Sequence, residues 1–220
     1  MPKAAPLDGV PSVSETLYGR LREGILTGVF PPGGVLRQEE LARRLGASRV
    51  PLREAMTRLE VEGLVVLRPR RGYAVLSLDR SEIQEIFELR AAVEEHLASV
   101  AAQSRTDNDI LAVSQALSLM ERIATRSPNQ IDKWLDANSE FHARLLSSAH
   151  RRHASRFATM LRDQVAPYIR IEINLTKDVR QAETEHRAMF EALQAGDAVR
   201  LRKLCRQHCE HTAARLIRGL

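Results

Sequence analysis

Residues 46–63 read GASRVPLREAMTRLEVEG, and they carry the marks of one capped helix. Ser48 is a good N-cap, and Pro51 falls in the first turn, where its missing N–H costs little. Gly63 can end the helix. Apolar side chains recur between them at helical spacing: Leu52, Ala55, Met56 and Leu59. The stretch therefore predicts a short amphipathic helix with one buried face.

The segments before this helix are also short. Residues 12–27 repeat apolar side chains at helical spacing, and PPGG at 31–34 is a turn. QEELARRL at 38–45 forms a second helix that Gly46 can end, which leaves a three-residue turn before the helix that follows. Two helices joined in this way predict a helix-turn-helix.

The segments after this helix are strand-like. LVVL at 64–67 and YAVLSL at 73–78 flank the polar tip RPRRG at 68–72, a pattern typical of a β-hairpin. Together with the helices before it, the hairpin predicts a winged helix-turn-helix. Such a unit places its third helix in the major groove of DNA.

Arginines lie where a winged helix would meet DNA. Arg49 and Arg53 are one turn apart near the start of the third helix, and Thr57 continues the stripe. An arginine can grip guanine O6 and N7 or reach a phosphate. We predict DNA contacts from the third helix and the wing: Ser48, Arg49, Arg53, Thr57, Arg68, Arg70 and Arg71. The alternatives are a protein-binding helix-turn-helix and arginines that are merely solvated.

The charge is unevenly distributed along the 220 residues, whose formal net charge is +5. Residues 1–76 hold twelve Lys/Arg against eight Asp/Glu, whereas residues 77–220 hold twenty-one against twenty. Two cysteines four positions apart exclude a disulfide framework. No apolar run is longer than four residues, the length of LVVL at 64–67, which excludes a membrane-spanning helix. We therefore expect a cytoplasmic protein with a basic first domain and a nearly neutral second one.

The remainder of the chain is periodic throughout. Asp107 and Asp197 look like N-caps, Gly196 like a C-terminal stop, and Pro128 marks a boundary. Six helices are predicted, at 80–104, 107–125, 130–149, 151–173, 178–195 and 197–217. The fold class is therefore mainly α: an N-terminal winged helix-turn-helix and a C-terminal antiparallel all-helical bundle. The predicted domains are a flexible tail at 1–12, the winged helix at 13–78 and the bundle at 79–220.

Several polar side chains fall on the inward faces of these helices. Asn138 and His142 lie on the apolar face of 130–149, His186 on that of 178–195, and His208 on that of 197–217. Buried polar groups need partners. Several imidazoles that meet inside a bundle predict a metal held by neutral ring nitrogens, and simple hydrogen bonding in the core is the alternative. Cys205 is a minor alternative ligand.

Arg90 and Glu94 lie on the inner face of the helix 80–104. Their spacing suits an i,i+4 ion pair at the rim of the bundle. A buried Arg90 could instead bind a carboxylate at two points. We therefore take Arg90 and Glu94 as candidate effector-binding residues.

Residues 30–75 resemble the winged helix of GntR-type bacterial transcription regulators. The diagnostic pattern is LA..LG.SR.P.REA...L..EGLV....RRG. The resemblance implies that Arg49, Arg53 and the wing contact operator DNA. Some relatives carry a further arginine at the start of the second helix, where this chain has Glu39, so that contact is not carried over.

The second domain is similar to the effector-binding FCD domain of the FadR subfamily. The similarity rests on FELRAAVE at 87–94, N..FH at 138–142, EH..MFEAL..GD at 185–197, and His208. FCD domains are helical bundles that commonly hold a divalent metal through one Asp or Asn and three histidines, with a small organic acid beside it. The resemblance implies the ligand set Asn138, His142, His186 and His208, in which Asn138 departs from the usual Asp. It also implies that Arg90 lies near the effector.

These features predict a homodimeric regulator, most simply a repressor, that binds a palindromic operator. A small carboxylate bound beside zinc, nickel or manganese would control its DNA affinity. A regulator for which the metal itself is the signal is an alternative. A metalloenzyme with an appended DNA-binding domain is a weaker one, because no general base is evident, and we predict that the chain is not an enzyme.

Overall fold

The computed structural model describes residues 12–69, 71–126, 130–176 and 178–219. The chain divides into two compact units, one ending at Ser77 and the other beginning at Leu78, one residue before the predicted boundary. Residues 1–11 of the predicted tail, Arg70 of the wing and Pro128 lie outside the described residues. Ser12, which was assigned to the tail, instead caps the first helix.

The first unit contains three helices, α1 (Val13–Leu26), α2 (Gln38–Leu45) and α3 (Arg49–Val61). The Ser12 hydroxyl accepts a hydrogen bond from the Glu15 N–H at the start of α1. Gly46 ends α2 in the left-handed conformation, with φ 63°, which favours glycine. Ser48 occupies the N-cap position of α3 as predicted, but its side chain makes no capping hydrogen bond.

Three antiparallel strands form the wing sheet, in the order β1 (Val35–Leu36), β3 (Gly72–Val75), β2 (Val65–Arg68). The hairpin is confirmed, and Leu67 pairs with Tyr73 across it. The second predicted strand was too long, because β3 ends at Val75. The strand β1 was not predicted, because two residues are too few to show alternation. Together the elements form the predicted winged helix-turn-helix.

A continuous apolar core holds the first unit together. α1 contributes Leu17, Leu21 and Ile25, and α3 contributes Leu52, Met56 and Leu59. Each of these side chains is at most 3% exposed. Burial of one such side chain is worth about 1.5–3 kcal/mol. Because the inner face of α3 is buried in this core, only the opposite face of that helix is available for contacts with other molecules.

The second unit is a helical bundle, as predicted. Its helices are α4 (Arg80–Ser104), α5 (Asp107–Arg126), α6 (Ile131–Ser147), α7 (Arg152–Thr176), α8 (Arg180–Ala195) and α9 (Ala198–Gly219). Gly196 ends α8 in the left-handed conformation, and Asp197 accepts the Arg200 N–H at the start of α9. The Asp107 cap was wrong. Thr106 and Asp109 instead accept each other's backbone N–H, because Thr106 immediately precedes the helix.

The bundle has two apolar clusters. The larger one surrounds Phe141, Leu145 and Met120, and the smaller one joins α4, α7 and α9 around Phe87 and Val165. Where the chain enters this unit, the Leu78 N–H donates to the Tyr168 hydroxyl, 2.5 Å away. Among the residues described, no helix is both long enough and apolar enough to cross a membrane.

Candidate functional site

Three histidines from three helices meet inside the bundle. His142 comes from α6, His186 from α8 and His208 from α9, and they are 2%, 0% and 6% exposed. The Nε2 atoms of His142 and His186 are 3.1 Å apart. One ring nitrogen from each of the three lies within 4.8 Å of the others. The structure therefore brings together the three histidines that the sequence placed on inward faces.

A carboxylate outside the triad orients one of these rings. His208 Nδ1 lies 2.6 Å from Glu185 Oε2, and His211 Nδ1 lies 2.6 Å from Glu185 Oε1. A carboxylate accepts hydrogen bonds, so it selects the tautomer of neutral His208 that carries its proton on Nδ1. Nε2 of His208 is then left with a free lone pair.

The environment keeps the triad neutral. Burial lowers the pKa of His142 and His186 well below the usual value, and the positive charge of Arg162 lowers both further. Burial also lowers the pKa of His208, although Glu185 opposes this effect. Burial would raise the pKa of Glu185, but its hydrogen bonds from His208 and His211 bring it to about 2. Neutral imidazole is the form that binds metal ions.

The triad suits a divalent cation by distance and by chemistry. An ion with bonds to nitrogen of about 2.0–2.1 Å holds its ligand nitrogens about 2.9–3.4 Å apart. The 3.1 Å between His142 and His186 falls in this interval. A carboxylate bound to the distal nitrogen of a ligating histidine, as in the Glu185–His208 pair, is a recurrent feature of metal sites.

The other two candidate ligands differ from the triad. Asn138 lies one turn before His142 on α6 and is half-buried. Cys205 is buried with its Sγ 3.7 Å from Met189 Sδ, and burial raises its pKa well above the usual value. A thiol binds metals as the thiolate, so this environment disfavours Cys205 as a ligand.

Arg90 and Glu94 form a buried pair rather than one at the rim. Both side chains are 2% exposed, and Arg90 Nε lies 2.8 Å from Glu94 Oε1. Arg162 from α7 joins them, with Nη1 3.4 Å from Glu94 Oε2. The rim interpretation was wrong because α7 and α9 cover this part of α4. We call these three residues the Arg90 network.

One donor of the Arg90 network is left over. Arg90 Nη1 is buried and has no hydrogen-bond partner among the described residues. The guanidinium lies over the Phe87 ring, 4.6 Å from its centroid. A buried unpaired donor is costly, and a carboxylate ligand would satisfy it. The charges of Arg90 and Arg162 also act on His142 and His208, so the network and the triad share one electrostatic environment.

The predicted DNA-contacting residues of α3 lie on its exposed face. Ser48, Arg49, Arg53 and Thr57 are all exposed. Arg49 Nη2 donates to Glu39 Oε1 of α2, 2.7 Å away. The Thr57 hydroxyl donates to the Arg53 carbonyl, 3.0 Å away. Among the described residues, the Arg53 side chain has no acceptor, which leaves its donors available for another molecule.

The wing also presents basic side chains. Arg68 ends β2 and Arg71 precedes β3, and both are exposed. The Arg71 N–H donates to the Arg68 carbonyl, 2.9 Å away, which closes the turn. Arg70, the third predicted contact of the wing, lies outside the described residues.

Sequence reasoning missed Glu185, Arg162 and the Glu39–Arg49 ion pair. Glu185 adjoins His186 on α8, and adjacent side chains of a helix point about 100° apart, so Glu185 does not share the inward direction of His186. The available signal was the spacing of His208 and His211, one turn apart on α9, which lets both reach one carboxylate. Arg162 gave no such signal, because it adjoins the buried stripe of α7 rather than lying on it.

Comparisons with known proteins match both units. Residues 13–75 match the family "Bacterial regulatory proteins, gntR family", and residues 85–211 match the FCD domain. The HTH-type transcriptional regulator YdhC of Bacillus subtilis is 29% identical over 201 residues, which cover 88% of each chain. The HTH-type transcriptional repressor GlaR of Escherichia coli is 29% identical over 198 residues, 87% of this chain and 90% of GlaR.

A solved structure shares the fold. Escherichia coli McbR/YncC matches with a TM-score of 0.84 at 18% identity, over 96% of this chain and 99% of that one. The likeness extends over both units, which supports the assignment of the fold for each.

Proposed function

Because this chain belongs to the GntR family of DNA-binding transcriptional regulators and carries an FCD domain, we propose that it represses transcription under the control of a small organic acid. The acid binds beside a divalent metal in the second unit. The chain, like its relatives, is a transcriptional regulator and not an enzyme. It acts in the cytoplasm as a homodimer on a palindromic operator.

The observation that supports this proposal is the meeting of three neutral histidines with the Arg90 network. The triad can hold zinc, nickel or manganese, and Asn138 supplies a fourth ligand from the same face of α6. The bound metal would provide a Lewis-acidic charge that attracts an anion. Arg90, whose Nη1 has no hydrogen-bond partner within the described part of the chain, binds the carboxylate of the effector, and Glu94 fixes the position of Arg90.

The DNA-binding unit reads the operator through α3. Arg49 and Arg53 contact base edges or phosphates in the major groove, with Ser48 and Thr57 beside them. The wing arginines Arg68, Arg70 and Arg71 contact phosphates or the minor groove. The two α3 helices of a dimer must match the spacing of the half-sites, so an effector that changes their spacing lowers operator affinity.

The proposal is tested by gel shift with the DNA upstream of the gene, a panel of organic acids, and protein with or without metal. We expect one acid to weaken operator binding only when metal is present. The His142→Ala/His186→Ala variant should lose metal and the response to the acid while still binding the operator. His153→Ala, which removes an exposed histidine, is the matched control.

Two results would contradict the proposal. Equal metal content in the wild type and the double histidine variant would exclude the triad as the metal site. An Arg90→Ala variant that binds the active acid with unchanged affinity in calorimetry would exclude Arg90 as an effector contact. Operator binding by each variant is measured independently by gel shift, so a failure at the metal or effector site is distinguished from a failure to bind DNA.

A metal-responsive regulator is the second candidate, and Asn138 favours it. A neutral amide is a weaker ligand for a dication than a carboxylate, which suits reversible binding. Metal alone would then change operator affinity, with no acid present. The same gel shifts distinguish the two candidates, because operator affinity in the lanes with metal and no acid changes only for a metal-responsive regulator.

A further inference from the structure

Arg49, the first residue of α3, is held by a carboxylate from the preceding helix. Its Nη2 atom donates to Glu39 Oε1, 2.7 Å away, and Glu39 lies in the first turn of α2. The two side chains are 75% and 80% exposed, so neither is fixed by packing. The ion pair therefore restrains the position of this guanidinium.

From this geometry we propose that Glu39 is a specificity-determining residue, which holds Arg49 toward guanine in the operator. The proposal rests on the role of Arg49 as a base-reading residue given above. A guanidinium has five N–H donors in a rigid fork, and a bidentate contact with guanine uses two of them. Arg49 can thus keep its bond to Glu39 while it binds O6 and N7.

The charge of Glu39 adds a second effect. A carboxylate at the DNA surface is repelled by phosphates, and it reduces the affinity of Arg49 for any duplex regardless of sequence. The guanidinium also loses less conformational freedom on binding, because the ion pair already restricts its rotamers. Glu39 therefore lowers non-specific binding and favours the one arrangement in which Arg49 meets a base edge.

Arg53 provides the contrast on the same face of α3. It is exposed as well, but its side chain has no acceptor within the described part of the chain. An arginine without such a restraint can turn to a phosphate or to a base with similar ease. We therefore expect base discrimination to depend on Arg49 more than on Arg53.

The experiment selects bound sequences from a randomised duplex pool with the purified full-length chain, in the absence of effector. Binding is then measured for the best sequence, for the same sequence with each conserved guanine replaced, and for unrelated DNA. The variants are Glu39→Gln, which removes the charge, Glu39→Ala, which removes the contact, and Arg49→Ala. Glu40→Gln is the matched control, because Glu40 is the next residue and is also exposed.

We expect both Glu39 variants to bind unrelated DNA about two- to fivefold more tightly, the range that an exposed ion pair can supply. Discrimination at one guanine should fall at least threefold, and Glu39→Ala should lose more than Glu39→Gln. In the Arg49→Ala background, Glu39→Gln should change that discrimination no further. Glu40→Gln should retain the wild-type preference.

Two outcomes would overturn the proposal, and they are distinguishable. If Arg49→Ala abolishes the guanine preference while both Glu39 variants retain it, the ion pair has no role in specificity. If Arg49→Ala itself retains the preference, Arg49 does not read that base, and the base-reading role of Arg49 fails together with the role of Glu39. Unfolding midpoints of all variants establish that the protein is intact in each case.

Discussion

The two units contain arginine–glutamate pairs of nearly equal length in opposite surroundings. Arg49 and Glu39 are 2.7 Å apart and 75% and 80% exposed, whereas Arg90 and Glu94 are 2.8 Å apart and 2% exposed. Water competes for the first pair and screens its charges, so such a pair contributes about 0–1 kcal/mol. The second pair has lost its hydration, so removal of one partner leaves an uncompensated buried charge.

The difference shows how one interaction serves two purposes. The exposed pair uses only part of the Arg49 guanidinium and leaves its other donors free for DNA, which suits a surface that binds and releases an operator. The buried pair cannot be exchanged for water, which suits a site that must keep a guanidinium oriented for a ligand. The nearly equal N–O distances do not distinguish the two pairs, because the energy of each ion pair depends on how deeply it is buried.

The largest expected effect comes from Glu94→Gln, which retains the shape of the side chain and removes its charge. Arg90 would then remain charged and buried without its partner, at a cost of about 3–5 kcal/mol in the free energy of unfolding. Chemical denaturation measures this loss. Glu85→Gln, on an exposed face of the same helix, is the control and should change little. A decrease in the free energy of unfolding of less than about 1 kcal/mol would mean that water reaches the Arg90 network and compensates for the missing charge.

Acid should reproduce part of that loss in the wild type. Burial would raise the pKa of Glu94, but Arg90 and Arg162 lower it below its usual value of 4.5. The contribution of Glu94 is therefore complete above about pH 4.5 and declines as the pH falls, because the unfolded chain takes up the proton first. Unfolding curves between pH 6 and pH 3 should show a smaller pH dependence in Glu94→Gln. Parallel curves for the two proteins would contradict the shift.

The next largest effect concerns Glu185, the carboxylate that contacts His208 of the histidine triad. Glu185→Gln should weaken metal binding about 10- to 100-fold, because His208 loses the charged acceptor that orients its ring. Competition with a chromophoric chelator measures the affinity without any DNA. Glu191→Gln, on the exposed face of the same helix, should bind metal as the wild type does. Wild-type affinity in Glu185→Gln would show that the ring is positioned by packing alone.

The smallest effect completes the comparison. Glu39→Gln makes the same chemical change as Glu94→Gln, but at the exposed pair, and should alter the free energy of unfolding by less than about 1 kcal/mol. The same denaturation experiment applies, and wild-type protein in high salt provides a second reference, because salt already screens this pair. A loss comparable to that of Glu94→Gln would remove the distinction between the two sites.

The sequence predicted most of the fold because its local signals agreed. Apolar spacing and terminal residues defined every helix to within a few positions, as α2 and α4 illustrate. The strand β1 was not predicted because its two residues are defined by pairing with a distant segment, and such pairing leaves no local pattern in the sequence. The Asp107 cap failed because Thr106, one position earlier, precedes the helix and its hydroxyl accepts the Asp109 N–H.

The site was less predictable because it depends on contacts between helices. The three histidines were found because each lies on an inward apolar stripe. Arg162 and Glu185 could not be found in this way, since each reaches a neighbouring helix from the edge of its own buried face. Whether Arg90 and Glu94 are at the rim or buried depends on which helices cover α4, which periodicity does not specify.

The two thiols of α9 offer a chemical measure of how often the bundle opens. Cys209 adjoins His208 and is fully buried, and burial raises its pKa to about 12. A thiol reagent reacts with the thiolate, so at neutral pH it can modify Cys209 only in molecules in which α9 has separated from its neighbours. The rate of modification therefore reports the population of open molecules. Any ion or acid that binds the closed form should slow that rate in proportion to its occupancy.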